Sequence, residues 1–126
     1  MEIKIRLDIE ASDIPIEGSF ALGNDEWDRE VAAAIKHRLE HDDQWAWCDV
    51  IVEARCTVDG EVFIARDTLG ACSYKDTEDF KQSGYYGDMV GQAIDNMRDS
   101  MFATQKRATA AVQALVLLPT ATKVFE

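Results

Sequence analysis

Residues 1 to 10 alternate strictly between charged and apolar side chains. Ile3, Ile5, Leu7 and Ile9 take one side, and Glu2, Lys4, Arg6, Asp8 and Glu10 take the other. A period of two marks a strand buried on one face. Residues 12 to 23, with Pro15 and Gly18, read as a loop. The period then changes to that of a helix, which Asn24 or Asp25 can cap. Asp25, Glu26 and Asp28 fall in its first turn and Lys36, His37 and Arg38 in its last, so both ends complement the helix dipole. Its expected core stripe is Trp27, Val31, Ala34, Ile35 and Leu39.

Two β-rich runs follow, Trp45 to Val58 and Glu61 to about Leu69, separated by Asp59-Gly60. Asp-Gly between such runs suits a two-residue type I′ turn, and that turn fixes a register. Val58 should face Glu61, Cys56 face Phe63, Ala54 face Ala65, and Glu53 face Arg66. Val50, Val52, Ala54, Cys56, Phe63, Ala65 and Leu69 then share an apolar face, with a Glu53–Arg66 pair on the other. Asp67 is the one charged residue on the apolar face, opposite Val52. A carboxylate there must be hydrogen-bonded or reach the edge of the core. It either bonds backbone amides around Gly70, caps the next segment, or acts as a tuned acid, and no nucleophile, base or second carboxylate can be assigned beside it. Trp45 and Trp47 should point away from Cys48 and Val50, with Asp49 continuing their face. They are either covered by residues 12 to 22 or by Tyr85-Tyr86, or stand exposed as interface anchors.

Asp76 or Thr77 opens a short helical turn through Phe80 that Gly84 closes. A longer helix starts at about Tyr86, with Met89, Val90, Ala93, Ile94, Met97 and Met101 on one side. The apolar pattern resumes at Ala108, Val112 and Leu115 before Pro119 stops it. One unbroken helix from Tyr86 to Leu117 would be about 48 Å long, long for so small a domain, so a break is expected near Ser100 to Thr104. The alternative is a projecting segment, residues 104 to 118, that packs against a second copy. The expected architecture is a single α+β domain of order β-α-β-β-α-α, with a mainly antiparallel sheet of about three strands and helices on one face.

Composition changes this picture little. A chain of 126 residues, 47% hydrophobic and 29% charged, fits one domain able to bury a core. The start lacks the basic and apolar regions of a signal peptide, and no apolar run is long enough to span a bilayer. A cytoplasmic location is the expectation. The formal charge of −11 is informative about partners: it repels nucleic-acid phosphate and anionic lipid and favours basic proteins. It serves either simple solubility or imitation of a phosphate array.

Candidate chemistry is sparse. Three cysteines argue against a closed disulfide framework. Cys48 and Cys56 lie roughly 26 Å apart along one strand, whereas Cys72 could approach Cys48 across the hairpin; buried free thiols are expected. His37-Arg38-Leu39-Glu40-His41 fits the inverted zincin pattern H-x-x-E-H. However, Leu39 belongs to the core stripe, which turns both histidines to solvent, and a catalytic zinc needs a third ligand in an enclosed site. A metal-dependent hydrolase centred on His37, His41 and Asp67 is therefore the least favoured reading, and no metal or cofactor is expected. Asp88, Gln92, Asp95 and Asp99 line one face of the long helix, as phosphate mimicry requires and as any solvated face of an acidic protein also shows. No glycine-rich phosphate loop or nucleophile elbow occurs.

The order W-A-W-C (Trp45 to Cys48), D-T-L-G-A-C-S-Y (Asp67 to Tyr74), D-F (Asp79, Phe80) and G-Y-Y-G-D-M (Gly84 to Met89) resembles small acidic proteins of bacteriophages, plasmids and other mobile elements. The likeness covers about the middle third of the chain and brings no catalytic residues with it. It implies a non-catalytic protein of the bacterial host cytoplasm that binds host defence machinery, as anti-CRISPR and anti-restriction inhibitors do. The expected partner is a basic protein or a nucleic-acid-binding complex, with no direct contact to nucleic acid or membrane. The expected contacts are Trp45, Trp47, Asp49, Asp67, Tyr85, Tyr86, Asp88, Asp95 and Asp99. A homodimeric accessory or structural protein is the alternative.

Overall fold

A computed structural model describes residues 2–19 and 25–117. The expected cap at Asn24, the loop residues from Phe20 to Gly23 and the stop at Pro119 lie outside them. Strand β1 (Lys4–Ala11) leads to helix α1 (Asp25–Glu40). A 3₁₀ turn (Gln44–Ala46) then precedes strands β2 (Cys48–Val58) and β3 (Glu61–Cys72), and helices α2 (Thr77–Lys81) and α3 (Gly84–Val116) complete the order. The strands form one antiparallel sheet in the order β1-β2-β3. This is the α+β domain that the periodicities describe. No helix among the described residues is long and apolar enough to cross a membrane.

The hairpin follows from its turn. Asp59 and Gly60 both have positive φ, at 50° and 82°, as a type I′ turn demands. Val58 pairs with Glu61, Cys56 with Phe63, Ala54 with Ala65, Glu53 with Arg66 and Val52 with Asp67, matching the expected register throughout. Near its far end the ladder slips by one residue. Val50 pairs with Leu69 but Cys48 pairs with Cys72, so Gly70 and Ala71 together oppose Asp49. This is a β-bulge. Ala71 takes the left-handed conformation there, with φ at 55°.

Val50, Val52, Ala54 and Cys56 are buried beneath Phe80, Met89, Ala93 and Met97, with Ile5, Leu7 and Ile9 of β1 packed alongside. Helix α3 packs on β3 and β2. The opposite sheet face carries the expected ion pair. Glu53 Oε1 accepts from Arg66 Nε and Nη2 at 3.0 and 2.9 Å, with Arg55 Nη2 3.6 Å from the other oxygen.

A second, smaller core joins Ile35, Ala46 and Trp47, with Ile16, Val31, Leu39 and Ala71 packed on it. Helix α1 meets the sheet there. Its stripe is narrower than expected, since Trp27 and Ala34 are exposed while Ala32 is buried. The helix ends with Asp42 in the left-handed region, at φ 62°. The Asp43 amide donates to the Arg38 carbonyl at 3.0 Å, closing a Schellman-type stop. Arg38 then staples the helix to the end of β3. Its Nε donates to Asp43 Oδ2 at 2.7 Å and its Nη2 to the Tyr74 carbonyl at 2.6 Å. The guanidinium holds the Asp43 carboxyl below its usual range.

The expected break near Ser100 to Thr104 does not occur. Helix α3 runs unbroken for 33 residues, roughly 50 Å. The segment Ser-Met-Phe-Ala-Thr-Gln-Lys-Arg holds neither glycine nor proline. Nothing in it interrupts the backbone hydrogen bonds once the packing pattern thins.

Candidate functional site

Strand β3 and the first turns of α3 enclose a groove of about 420 Å³ lined by Asp67, Thr68, Leu69, Tyr85, Asp88, Met89, Gln92 and Asn96. Asp76 starts the return that builds it. Its side chain accepts from the Asp79 amide at 2.8 Å, while Asp79 Oδ2 accepts from the Lys75 amide at 2.9 Å. This reciprocal cap opens α2. Buried Phe80 then anchors the turn against Trp45, Tyr74 and Tyr86, with ring centroids 5.8, 5.0 and 6.2 Å away. With that turn fixed, helical spacing sets Tyr85, Asp88, Gln92 and Asn96 along β3.

Leu69 and buried Met89 supply the apolar part of the groove. Asp67 is half-buried, and Tyr85 is 55% exposed. Gln92 Nε2 donates to Asn96 Oδ1 at 2.9 Å, and Asn96 Nδ2 donates to the Arg66 carbonyl at 2.9 Å. These amides tie the helix to the strand. A second cavity of about 330 Å³, lined by Leu69, Gly70, Ala71, Cys72, Ser73, Tyr74 and Tyr85, shares Leu69 and Tyr85 with the first. Two carboxylates, a phenol and an apolar floor, with no cation among the described residues that line it, suit a lysine or arginine side chain. The aliphatic stem can lie on Leu69 and Met89 while the charged head meets Asp67 and Asp88.

The residues singled out from the sequence divide into those at the groove and those elsewhere. Asp67, Tyr85 and Asp88 come together in it. Tyr86 instead packs on Phe80. Trp45 and Trp47 do not share a sheet face, because the strand begins at Cys48 and the 3₁₀ turn breaks the alternation before it. Trp45 packs on Tyr74 and Phe80. Trp47 is 6% exposed in the smaller core, its indole N–H donating to the Ile14 carbonyl at 2.8 Å. Asp95 is paired with Arg98 at 2.9 Å, and Asp99 is exposed further along α3. Asn96 was not singled out from the sequence. Its i, i+4 spacing from Gln92 was the available signal.

The backbone role considered for Asp67 belongs to Asp49, whose Oδ1 accepts the Ala71 amide at 3.0 Å. The carboxylate thereby satisfies the donor that the bulge leaves out of the ladder. Asp49→Ala is expected to lower stability by about 1–3 kcal/mol, seen as an earlier urea midpoint, whereas Asp49→Asn should retain most of it. Equal stability of all three proteins would remove this role.

Cys48 and Cys72 are register partners, both buried and free. Burial pushes the Cys48 thiol up to about 11, and burial likewise raises that of Cys72. Both are neutral thiols near pH 7, unlike an activated nucleophile. His37 and His41 are exposed at the end of α1 with rings 4.3 Å apart, and His41 Nδ1 bonds to the His37 carbonyl at 2.8 Å. Among the described residues no group of three or more His, Cys, Asp or Glu side chains is placed to hold a metal ion. No family model, curated protein or solved structure matches the chain.

Proposed function

We propose that this chain is a non-catalytic binding protein whose groove between β3 and α3 receives a basic side chain of a partner protein. The observation that carries the reading is the convergence of Asp67 from β3 with Tyr85 and Asp88 from α3 around one groove whose lining, among the described residues, holds no cation. The formal charge of −11 supports it, since such a field steers a basic partner toward the molecule. The resemblance of the W-A-W-C and G-Y-Y-G-D-M segments to mobile-element proteins extends the reading. The partner is then host defence machinery in the bacterial cytoplasm, a CRISPR effector or restriction enzyme, and the protein acts as its inhibitor.

A pull-down from bacterial lysate at low and moderate salt, followed by titration of the purified partner, tests this. A basic or nucleic-acid-binding protein should be recovered. The double variant Asp67→Asn/Asp88→Asn should bind it about tenfold or more weakly, roughly 1.4 kcal/mol, while folding as the parent does. Recovery of no such protein, or equal binding by the double variant, would overturn the reading.

A further inference from the structure

From Gln105 onward every described residue of α3 is exposed, so the helix projects roughly 20 Å past the sheet. This end presents large apolar side chains to solvent. Phe102, Val112, Leu115 and Val116 are each 58–77% exposed. Met97 and Met101 pack on the sheet core, and Thr104, Ala108, Ala111 and Leu115 continue the same alternation of four and three residues beyond it. That spacing is the seam of a helix pair. Ala108 and Ala111, at the middle of the seam, are small enough to let two backbones approach closely, while Thr104 and Leu115 at its ends leave room for larger side chains.

Charge identifies the occupant. In a chain of net charge −11, residues 100 to 117 contain no Asp or Glu, and their only charged side chains are Lys106 and Arg107. No acid-free run elsewhere in the chain is as long. Two copies of so acidic a protein repel one another over most of their surface, and this segment is where that repulsion is weakest. We infer that the projecting end of α3 is a homodimer contact. Two copies pack antiparallel about a two-fold axis, Thr104 against the partner's Leu115 and Ala108 against the partner's Ala111. A two-fold axis needs one self-complementary patch, and the seam provides it. The antiparallel sense sets the acidic sheet domains at opposite ends, where a parallel pair would crowd them together.

Sedimentation equilibrium of the full chain is the test. The expected mass is twice the 14.1 kDa of one chain. Ala111→Glu and Leu115→Glu should each weaken the dimer at least tenfold with unchanged helical circular dichroism, because both sites are exposed in the single chain. Thr104→Leu should tighten it several-fold, a gain that misfolding cannot produce. X-ray scattering of the dimer should show two separated lobes. A monomer up to millimolar concentration would overturn the inference, whether residues 118 to 126, a membrane surface or another protein covers the seam. A dimer indifferent to all three substitutions would overturn it as well, and a single compact lobe would overturn the antiparallel arrangement.

Discussion

Phe80→Ala is expected to lower the folding free energy by about 3–5 kcal/mol. The ring is fully buried and is the common neighbour of Trp45, Tyr74 and Tyr86. Removing it leaves a cavity ringed by three aromatic side chains, each fixed by its own backbone. Such rings cannot close over the void as flexible aliphatic side chains would. Edge-to-face contacts with Tyr74 and Tyr86 add about 0.5–1.5 kcal/mol apiece to the loss. Urea unfolding with an unchanged slope would measure the difference directly. Phe80 also fixes the α2 turn that aims Tyr85 and Asp88 along β3, so the binding proposed for the groove should weaken together with stability. A loss under about 1 kcal/mol would mean that the aromatic cluster is not the support of α2.

Trp47→Ala should cost a similar amount, about 3–5 kcal/mol, through the smaller core. Trp47 fills the space between Ile35 of α1, Ile16 of the segment between β1 and α1, and Ala71 of the bulge. Its indole N–H also satisfies the Ile14 carbonyl. Deleting it removes the apolar contact and leaves that carbonyl without its donor. Trp47→Phe separates the two effects. It keeps most of the buried area and loses the hydrogen bond, which should cost only about 1–2 kcal/mol. The two variants should also differ in where they loosen. Trp47→Ala should expose residues 12 to 19 and α1 to protease at concentrations that leave β2 and β3 intact. Cleavage spread evenly over the chain would show that the smaller core does not open separately.

The hairpin register was legible from the sequence because Asp59-Gly60 requires positive φ at both central residues and admits one pairing. Strand β1 was legible because its charges and apolar residues alternate without exception. The paired tryptophans were not. A period-two argument assumes extended backbone from the first residue counted, and the 3₁₀ turn at Gln44–Ala46 sends Trp45 to one core and Trp47 to the other. The bulge was hidden for a related reason. The residue that adopts positive φ is Ala71 and not the neighbouring Gly70, so the usual glycine signal pointed one position away. Helix α3 outlasted its packing because side-chain pattern reports contact with the sheet, while helix continuity depends on backbone bonds that nothing in residues 100 to 107 disrupts. In the groove, Asp67 stood out alone as a charge on an apolar face. Its convergence with Tyr85 and Asp88 depends on the path through α2, which local periodicity does not encode.

Among the described residues no strand pairs with the outer edge of β1 or β3, and such edges are the usual starting point for strand addition and aggregation. They are guarded by different means. On β1, Lys4, Arg6, Asp8 and Glu10 set a charged side chain at every second position, so an added strand would have to accommodate both signs of charge in a fixed order. On β3, Val62 and Ile64 are exposed, but the Asn96 amide occupies the Arg66 carbonyl and interrupts the row of acceptors a new strand would need. The amide that fastens α3 to the sheet thus also blunts the more apolar of its two edges, which disfavours fibrous growth along β3.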